Sequence, residues 1–235
     1  MSSTNLHPHP RDLSVAALPE DARATFITRT YVHLYGAIVG FTLLEAFLFM
    51  SGLALPIARA FLSVSWLWVL GGFVLVSWLF SRIAHNAESM AVQYAALAAY
   101  VVAEGLIFVP MLLVAQFFAP GTIQAAATIT LLAFTALTVI VHVTRRNFSF
   151  LAPFLAFGGV AAVATIVAGA VFGFQLGTFF SVAMVVLAGG SILHDTSKVL
   201  HTYPEDRYVG AALQLFAGVA LMFWYVLRLF LSSRR

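Results

Sequence analysis

The sequence contains no cysteine and few charged residues. Among its 235 residues, Asp, Glu, Lys and Arg together make up only 9%. The missing cysteines exclude disulfide bonds, thiolate metal sites and a cysteine nucleophile. The basic residues lie at the ends of apolar runs and form no contiguous basic face, which argues against nucleic-acid binding. No glycine-rich phosphate loop follows a strand-like segment, so nucleotide chemistry is unsupported.

Apolar residues dominate the rest of the sequence. They account for 62% of the chain, and 22 residues are phenylalanine. A water-soluble domain of this length cannot bury so much apolar surface, so the excess must face lipid. The composition therefore predicts an all-α, polytopic integral membrane protein.

Seven apolar runs are long enough to cross about 30 Å of hydrocarbon. We predict transmembrane helices at residues 30–51, 61–82, 90–118, 122–143, 149–172, 177–200 and 208–231. Pro56 and Arg59 mark the first connection between spans. The connections are about 3 to 10 residues long, which leaves no room for a second, soluble domain.

The N-terminal residues 1–24 are polar and contain several prolines. We expect a flexible cytoplasmic tail there, followed by one seven-helix transmembrane domain at 25–235. No small-residue cleavage site follows the first apolar run, which argues against a removable signal peptide. His7 and His9 in the tail are too few to make a strong metal site.

Basic residues predict the orientation in the membrane. If seven spans are counted, one group lies on the side of the N-terminus and a smaller group on the other side. The first group is Arg11, Arg23, Arg29, Arg82, Arg145, Arg146, Lys198 and Arg207, and the second is Arg59, Arg228, Arg234 and Arg235. Because Lys and Arg accumulate in cytoplasmic loops, we expect the N-terminus in the cytoplasm and the C-terminus on the opposite side.

Three acidic residues, Glu45, Glu104 and Asp195, lie within the predicted spans. An acid near the bilayer centre costs on the order of 3 kcal/mol, so we expect all three to face the bundle interior. There they could coordinate a cation, relay protons, or stay neutral and donate hydrogen bonds. Their spacing does not separate these roles.

Asp195 has a simpler alternative role. It lies within about one turn of a helix end, so it could reach the water boundary and pair with Lys198 at i,i+3. His142 and His194, near span ends, are more typical of interfacial residues than of ligands.

Five segments, taken in chain order, form a recognisable set. They read FITRTYVHLYGAIVG after the tail, EGLIFVPMLL in the third span, VTRRNFSFLAPFL between the fourth and fifth, ILHDTSKVL in the sixth, and YVGAALQLF followed by VLRLF in the seventh. Together they resemble the transmembrane Bax inhibitor motif family, over nearly all of the chain beyond residue 25.

The resemblance implies seven helices with the last near the centre of the other six, and a calcium leak that responds to pH in bacterial members. It implies an inner (plasma) membrane location. In such members two aspartates from the sixth and seventh helices share a proton and latch the cytoplasmic end, with a second-helix arginine nearby. Asp195 matches the first aspartate, Arg82 is the nearest candidate for the arginine, and Glu104 matches the acid of the family's Glu-Gly pair.

The sequence departs from the family pattern in the seventh helix. Gly218 and Leu221 stand where the family has Asp and Asn, and Asn147 stands where Asp is common. Two close carboxylates cannot both ionise cheaply, so the loss of one changes the expected gating. We expect an ionised Asp195 paired with Arg82 or Lys198, and weaker or shifted pH gating.

Two functions of different classes remain. The first is an ion leak channel or transporter with Asp195, Glu104, Arg82, Glu45 and Lys198 in its pathway or gate. Calcium is favoured because hard cations prefer oxygen ligands, with Asp195 and Glu104 as its candidate ligands and no other cofactor. The second is a non-conducting regulatory protein that binds another membrane protein through glycine-rich helix faces such as Gly36 and Gly40.

Enzymatic and photoreceptor functions have little support. An intramembrane aspartyl hydrolase needs a second facing aspartate, which no other span supplies, and Ser191 with His194 on one helix makes a poor dyad. A retinal protein needs a lysine in mid-membrane, whereas Lys198, the one lysine here, lies near a span end. We therefore expect the protein not to be an enzyme.

Overall fold

A computed structural model describes residues 14–86 and 89–233, and this part of the chain is almost entirely helical. Its α-helices are α1 (Glu20–Met50), α2 (Ala54–Ser63), α3 (Trp66–Asn86), α4 (Met90–Phe118), α5 (Thr122–Thr144), α6 (Ala152–Phe172), α7 (Thr178–His201) and α8 (Tyr208–Ser232). Short 3₁₀ turns lie at Val15–Ala17, Ser149–Leu151 and Glu205–Arg207. The all-α prediction is confirmed for these residues.

Six helices of the described chain are long and apolar enough to cross a membrane: α1, α4, α5, α6, α7 and α8. The spans of α6 and α8 include the 3₁₀ turns that precede them, and thus cover Ser149–Phe172 and Glu205–Ser232. Helices α2 and α3 pass the same test only as a pair, and they are bent by 105° relative to each other. The count is therefore six, or seven if the bent pair forms one broken span.

The second span differs from the prediction of one continuous helix at 61–82. Pro56 and Arg59, predicted to mark a connection, lie inside α2, where Pro56 occupies the first turn and removes no helical hydrogen bond. The break comes at 64–65 instead. Val64 ends α2 in an extended conformation, and the carbonyl of Ser65 accepts the Trp68 N–H at 2.9 Å. Serine favours such a helix start because its side chain competes with helical hydrogen bonds.

The predicted boundary between tail and transmembrane domain at residue 25 falls inside α1. This helix begins at Glu20, with Glu20 and Asp21 in its first turn, where negative charge stabilises the N-terminus. Val15 and Leu18 are buried, at 0% and 7% exposure. The packed structure therefore includes residues that the sequence analysis assigned to the tail. His7 and His9 lie outside the described residues.

The core forms along α8, which packs against α1, α3, α4, α5 and α7. An aromatic cluster joins three of these helices, since the Phe108 ring of α4 contacts Phe41, Phe223 and Trp224 at centroid distances of 5.2, 5.4 and 5.0 Å. Large apolar side chains such as Trp68 and Phe179 point outward and are exposed. This arrangement suits a bundle whose outer surface contacts lipid.

Candidate functional site

Asp195 lies in the last third of α7 and is buried. Its carboxylate accepts hydrogen bonds from two side chains of its own helix. The Ser191 hydroxyl donates to Oδ2 at 3.3 Å, and the ring nitrogen Nδ1 of His194 donates to Oδ1 at 3.1 Å. Ser191 is one turn earlier, at the i,i+4 spacing that brings side chains together on a helix surface. The acid is therefore held by local contacts.

Tyr203, in the turn after α7, lies beneath Asp195. Burial, and then the Asp195 carboxylate, raise the pKa of the Tyr203 hydroxyl, so this group stays neutral at physiological pH. The Nζ atom of Lys198 lies 5.3 Å from the centre of the Tyr203 ring. Lys198 thus belongs to the surroundings of Asp195, and its predicted pairing with that acid stays a prediction.

Arg82 is placed differently from the prediction. Its exposed side chain has the guanidinium 5.2 Å from the centre of the Trp78 ring, one turn earlier on α3. The Nδ1 atom of the His194 ring lies 3.1 Å from the Asp195 carboxylate. The predicted pair between Arg82 and Asp195 is not formed here, because the arginine stacks on its own helix.

Glu104 lies in the middle of α4 and is only 4% exposed. The side chain of Tyr100, one helical turn earlier, interacts with its carboxylate. An exposed carboxylate would be surrounded by water, whereas the Glu104 carboxylate has a neighbouring side chain as its polar partner. Glu104 therefore faces the bundle interior, as predicted.

Asp195 and Glu104 both line a cavity of about 1030 Å³. Polar side chains on four helices contribute to its wall: Ser77, Tyr100, Glu104, Ser181, Ser191, Asp195, Gln214 and Arg228. Gln214 and Arg228 both belong to α8, and at 1.5 Å per residue they are about 21 Å apart along its axis. The cavity therefore follows α8 through much of the thickness of the bundle.

Glu45 does not join the other two acids. It is buried at 8% exposure, as predicted, but both carboxylate oxygens lack a hydrogen-bond partner in the described structure. Its Oε1 atom lies 3.5 Å from the position of a Cβ atom built on Gly105. Glu45 therefore packs against α4 on a different face from the one that carries Glu104, outside the lining of the cavity.

Gly218 lines the same cavity as Asp195. A Cβ atom built on Gly218 would lie 3.1 Å from Cγ1 of Ile192, one turn before Asp195 on α7. The glycine thus allows α7 and α8 to approach closely at the level where the resemblance implies a second aspartate. Any larger residue there requires a small shift of Ile192.

Asn147, the other departure, has a local role between α5 and α6. Its side-chain oxygen accepts the Ser149 N–H at 2.9 Å, and the Phe148 N–H donates to the Ser197 hydroxyl at 2.9 Å. Aspartate could accept the same backbone hydrogen bond, since both residue types form such turns. The substitution therefore leaves this connection intact.

The sequence did not indicate the contact of His194 with Asp195, nor the two cavity-lining residues Gln214 and Arg228 on α8. The Arg228 guanidinium donates to the Leu176 carbonyl at 2.8 Å, between α6 and α7. Gln214 precedes Gly218 by one turn, so helical spacing from the departure at Gly218 could have indicated it. Nothing in the sequence pairs Arg228 with the distant Leu176.

Within the described residues, no group of three or more His, Asp or Glu side chains could hold a metal ion. Asp195 and Glu104 offer one carboxylate each, from α7 and α4. A cation in the described cavity would therefore meet at most two carboxylates, together with hydroxyl and amide oxygens and water.

Apolar outer surfaces, together with two buried acids on a cavity that follows α8, define a polytopic helical membrane protein. The family model described as inhibitor of apoptosis-promoting Bax1 matches residues 23–235. The chain therefore belongs to the Bax inhibitor family, which confirms the resemblance seen in its sequence segments. A comparison with curated proteins finds no match.

Proposed function

We propose that this chain is an ion leak channel or transporter, with calcium as the transported ion. The observation that carries the proposal is the single cavity lined by both Asp195 and Glu104. Buried acids in a membrane bundle are costly unless they serve an interior polar path. The cavity supplies such a path along α8, and the family membership is consistent with it.

The proposed topology has seven spans, with α2 and α3 as one broken span and α8 near the centre. The contacts of α8 with five other helices support its central position. The N-terminus then lies in the cytoplasm and the C-terminus opposite, in a bacterial inner membrane. This orientation places Asp195 near the cytoplasmic side and Arg228 near the other.

Oxygen atoms along the cavity wall favour a hard cation over an anion. Asp195 and Glu104 supply carboxylates, Ser191 and Tyr100 supply hydroxyls, and Gln214 supplies an amide oxygen. Calcium accepts such mixed oxygen sets with flexible geometry. Calcium is here the transported ion and not a cofactor, and the proposed function is not enzymatic.

Gating is proposed to depend on pH differently from that of a two-aspartate latch. Gly218 supplies no second carboxylate, so Asp195 has no acidic partner at that position with which to share a proton. Its described hydrogen bonds come from Ser191 and His194 instead. We expect the pH response to be weaker than that of a two-aspartate latch, or shifted from it.

Calcium efflux from liposomes tests the proposal. Purified protein should release trapped calcium faster than protein-free liposomes, and Asp195→Asn combined with Glu104→Gln should abolish most of that release. Glu45→Gln is the matched control, since Glu45 is equally buried but lies outside the cavity lining. Efflux that is unchanged in the double variant would remove the basis of the proposal.

The alternative is a non-conducting regulatory protein that binds another membrane protein. Gly36 and Gly40 on α1 favour it, because no atom of the described chain lies within 4 Å of a Cβ built on either. This small-residue face is free to receive another helix. Recovery of a stoichiometric membrane-protein partner, with no ion flux in liposomes, would favour this function over the channel.

A further inference from the structure

A short segment before α1 is docked on the turn between α7 and α8. We name it the strap, Ser14–Leu18. The Val15 N–H donates to the Tyr203 carbonyl at 2.8 Å, and Ser14 forms an isolated antiparallel bridge with Pro204. Val15 is fully buried and belongs to the same apolar cluster as Tyr203. The strap is therefore part of the packed structure.

The strap lies beneath the Asp195 end of the cavity. Ser191 and Asp195 are the cavity-lining residues nearest the C-terminus of α7. Beyond them, Val199 and Tyr203 are buried, at 0% and 3% exposure, and pack in the cluster that contains Val15. The Phe26 ring of α1 stacks on Tyr203 at 6.4 Å. A layer of apolar side chains, closed from below by the strap, separates the cavity from the surface at this end.

We propose that the strap is an autoinhibitory segment that closes the Asp195 end of the cavity and opens it by undocking from Tyr203 and Pro204. This inference rests on the proposed ion pathway. Undocking removes Val15 from the apolar layer and breaks the backbone hydrogen bond to Tyr203, so that Tyr203 keeps only its contacts within the bundle, such as Phe26, and can move. Ions could then reach Asp195.

The contacts suit a reversible element. The strap is held by one backbone hydrogen bond to Tyr203, by burial of two apolar side chains, Val15 and Leu18, and by Arg23. The Arg23 guanidinium donates to the Ala16 and Leu18 carbonyls at 3.2 and 3.4 Å. By contrast, α8 buries side chains against five helices. Segments with few buried contacts open more easily than the core to which they attach.

A reversible disulfide tests the inference directly. Residues that face each other in an antiparallel bridge have Cα atoms about 4.5–5.5 Å apart, within the span of a disulfide. The chain has no cysteine, so Ser14→Cys with Pro204→Cys introduces the one possible pair. Calcium efflux is measured from liposomes with the disulfide oxidised, and again after reduction. Each single substitution serves as the matched control.

Oxidation should lower calcium efflux by roughly fivefold or more, the change expected when a weak contact is made permanent. Reduction should restore the efflux, and neither single variant should respond. Equal efflux from the oxidised and reduced forms, with efflux still sensitive to Asp195→Asn, would overturn the autoinhibitory role of the strap but not the proposed ion pathway. No Asp195-dependent efflux from any form would overturn the proposed function and the strap with it.

A second variant weakens the strap without touching the cavity. Arg23→Ala removes both hydrogen bonds to the strap carbonyls, so it should slow disulfide formation between the two cysteines and raise efflux from the cysteine-free chain. Slower disulfide formation with unchanged efflux would contradict a closing role.

Discussion

The Glu45 carboxylate of α1 lies against Gly105 of α4, with Oε1 3.5 Å from the position of a Cβ atom there. Glu104, the preceding residue, faces the cavity instead. Successive residues on an α-helix point about 100° apart, so Glu104 and Gly105 face different directions from α4. Glu45, which lies against Gly105, is therefore on a different side of α4 from the Glu104 carboxylate, although the sequence analysis placed both acids in one ion pathway. Glu45 is therefore a buried acid without an evident part in the pathway.

Replacing Glu45 by leucine should leave calcium efflux unchanged and raise stability. Both carboxylate oxygens are buried without a hydrogen-bond partner in the described structure, and removing such a group recovers about 1–3 kcal/mol of desolvation cost. The measurement is thermal unfolding in detergent, together with efflux from liposomes. A large loss of efflux in Glu45→Leu would show that Glu45 contributes to the ion pathway, as the sequence analysis expected.

Restoring an aspartate at position 218 should steepen the pH dependence of efflux over about pH 6 to 8, because a second carboxylate would compete with Asp195 for one proton. The new Cβ would lie 3.1 Å from Ile192, so a modest loss of stability is expected as well. Gly218→Ala is the control, since it adds the same Cβ without the acid. An equally shallow pH profile in Gly218→Asp and Gly218→Ala would refute the explanation that the pH response is altered because Gly218 supplies no second carboxylate.

Gln93→Leu should destabilise the protein by about 1–3 kcal/mol, because buried polar groups lose their partners. The Gln93 side chain is fully buried on α4, donates to the Asp206 carbonyl at 3.1 Å, and accepts the Gly210 N–H at 3.3 Å. It thus ties α4 to the start of α8. Gln116→Leu, at an exposed position of the same helix, should have little effect on the unfolding temperature. Equal unfolding temperatures for the two variants would show that this tie is not stabilising.

Phe108→Ala should lower stability by about 2 kcal/mol, less than the 3–5 kcal/mol typical of water-soluble cores, because lipid also solvates the separated helices. The Phe108 ring is 1% exposed and contacts three other aromatic rings. Phe117→Ala provides the control, since Phe117 is 72% exposed on the same helix. The measurement is unfolding by a denaturing detergent. An equal loss in both variants would mean that the aromatic cluster adds no packing energy.

The sequence predicted the helical class, most helix bounds and the burial of the three acids, because long apolar runs and the cost of charge in lipid are properties of single segments. It did not predict the break at Val64, since the apolar run continues through that position and only a serine on either side signals a helix end. The contact of Ser191 with Asp195 follows i,i+4 spacing and could have been read from the sequence.

Contacts between distant segments were beyond sequence reasoning. The strap was assigned to the tail because its short apolar run lies within a polar segment that contains several prolines, and its partner turn lies almost 190 residues later. Likewise, Glu104 and Asp195 share a cavity only because α4 and α7 both pack on α8. Arg82 was assigned to Asp195 by resemblance alone, and its stacking on Trp78 depends on the course of α3.

Cysteine accessibility along α8 tests the continuous pathway most directly. Cysteines placed singly at Gln214, Leu221 and Tyr225, which line the cavity, should react with a small, positively charged thiol reagent, and the reaction should block calcium efflux. A cysteine at Val219, buried but outside the cavity lining, should stay unreactive. Reaction and block at the three lining positions alone is the predicted result. Equal protection of all four positions, with efflux unaffected by the reagent, would contradict the pathway.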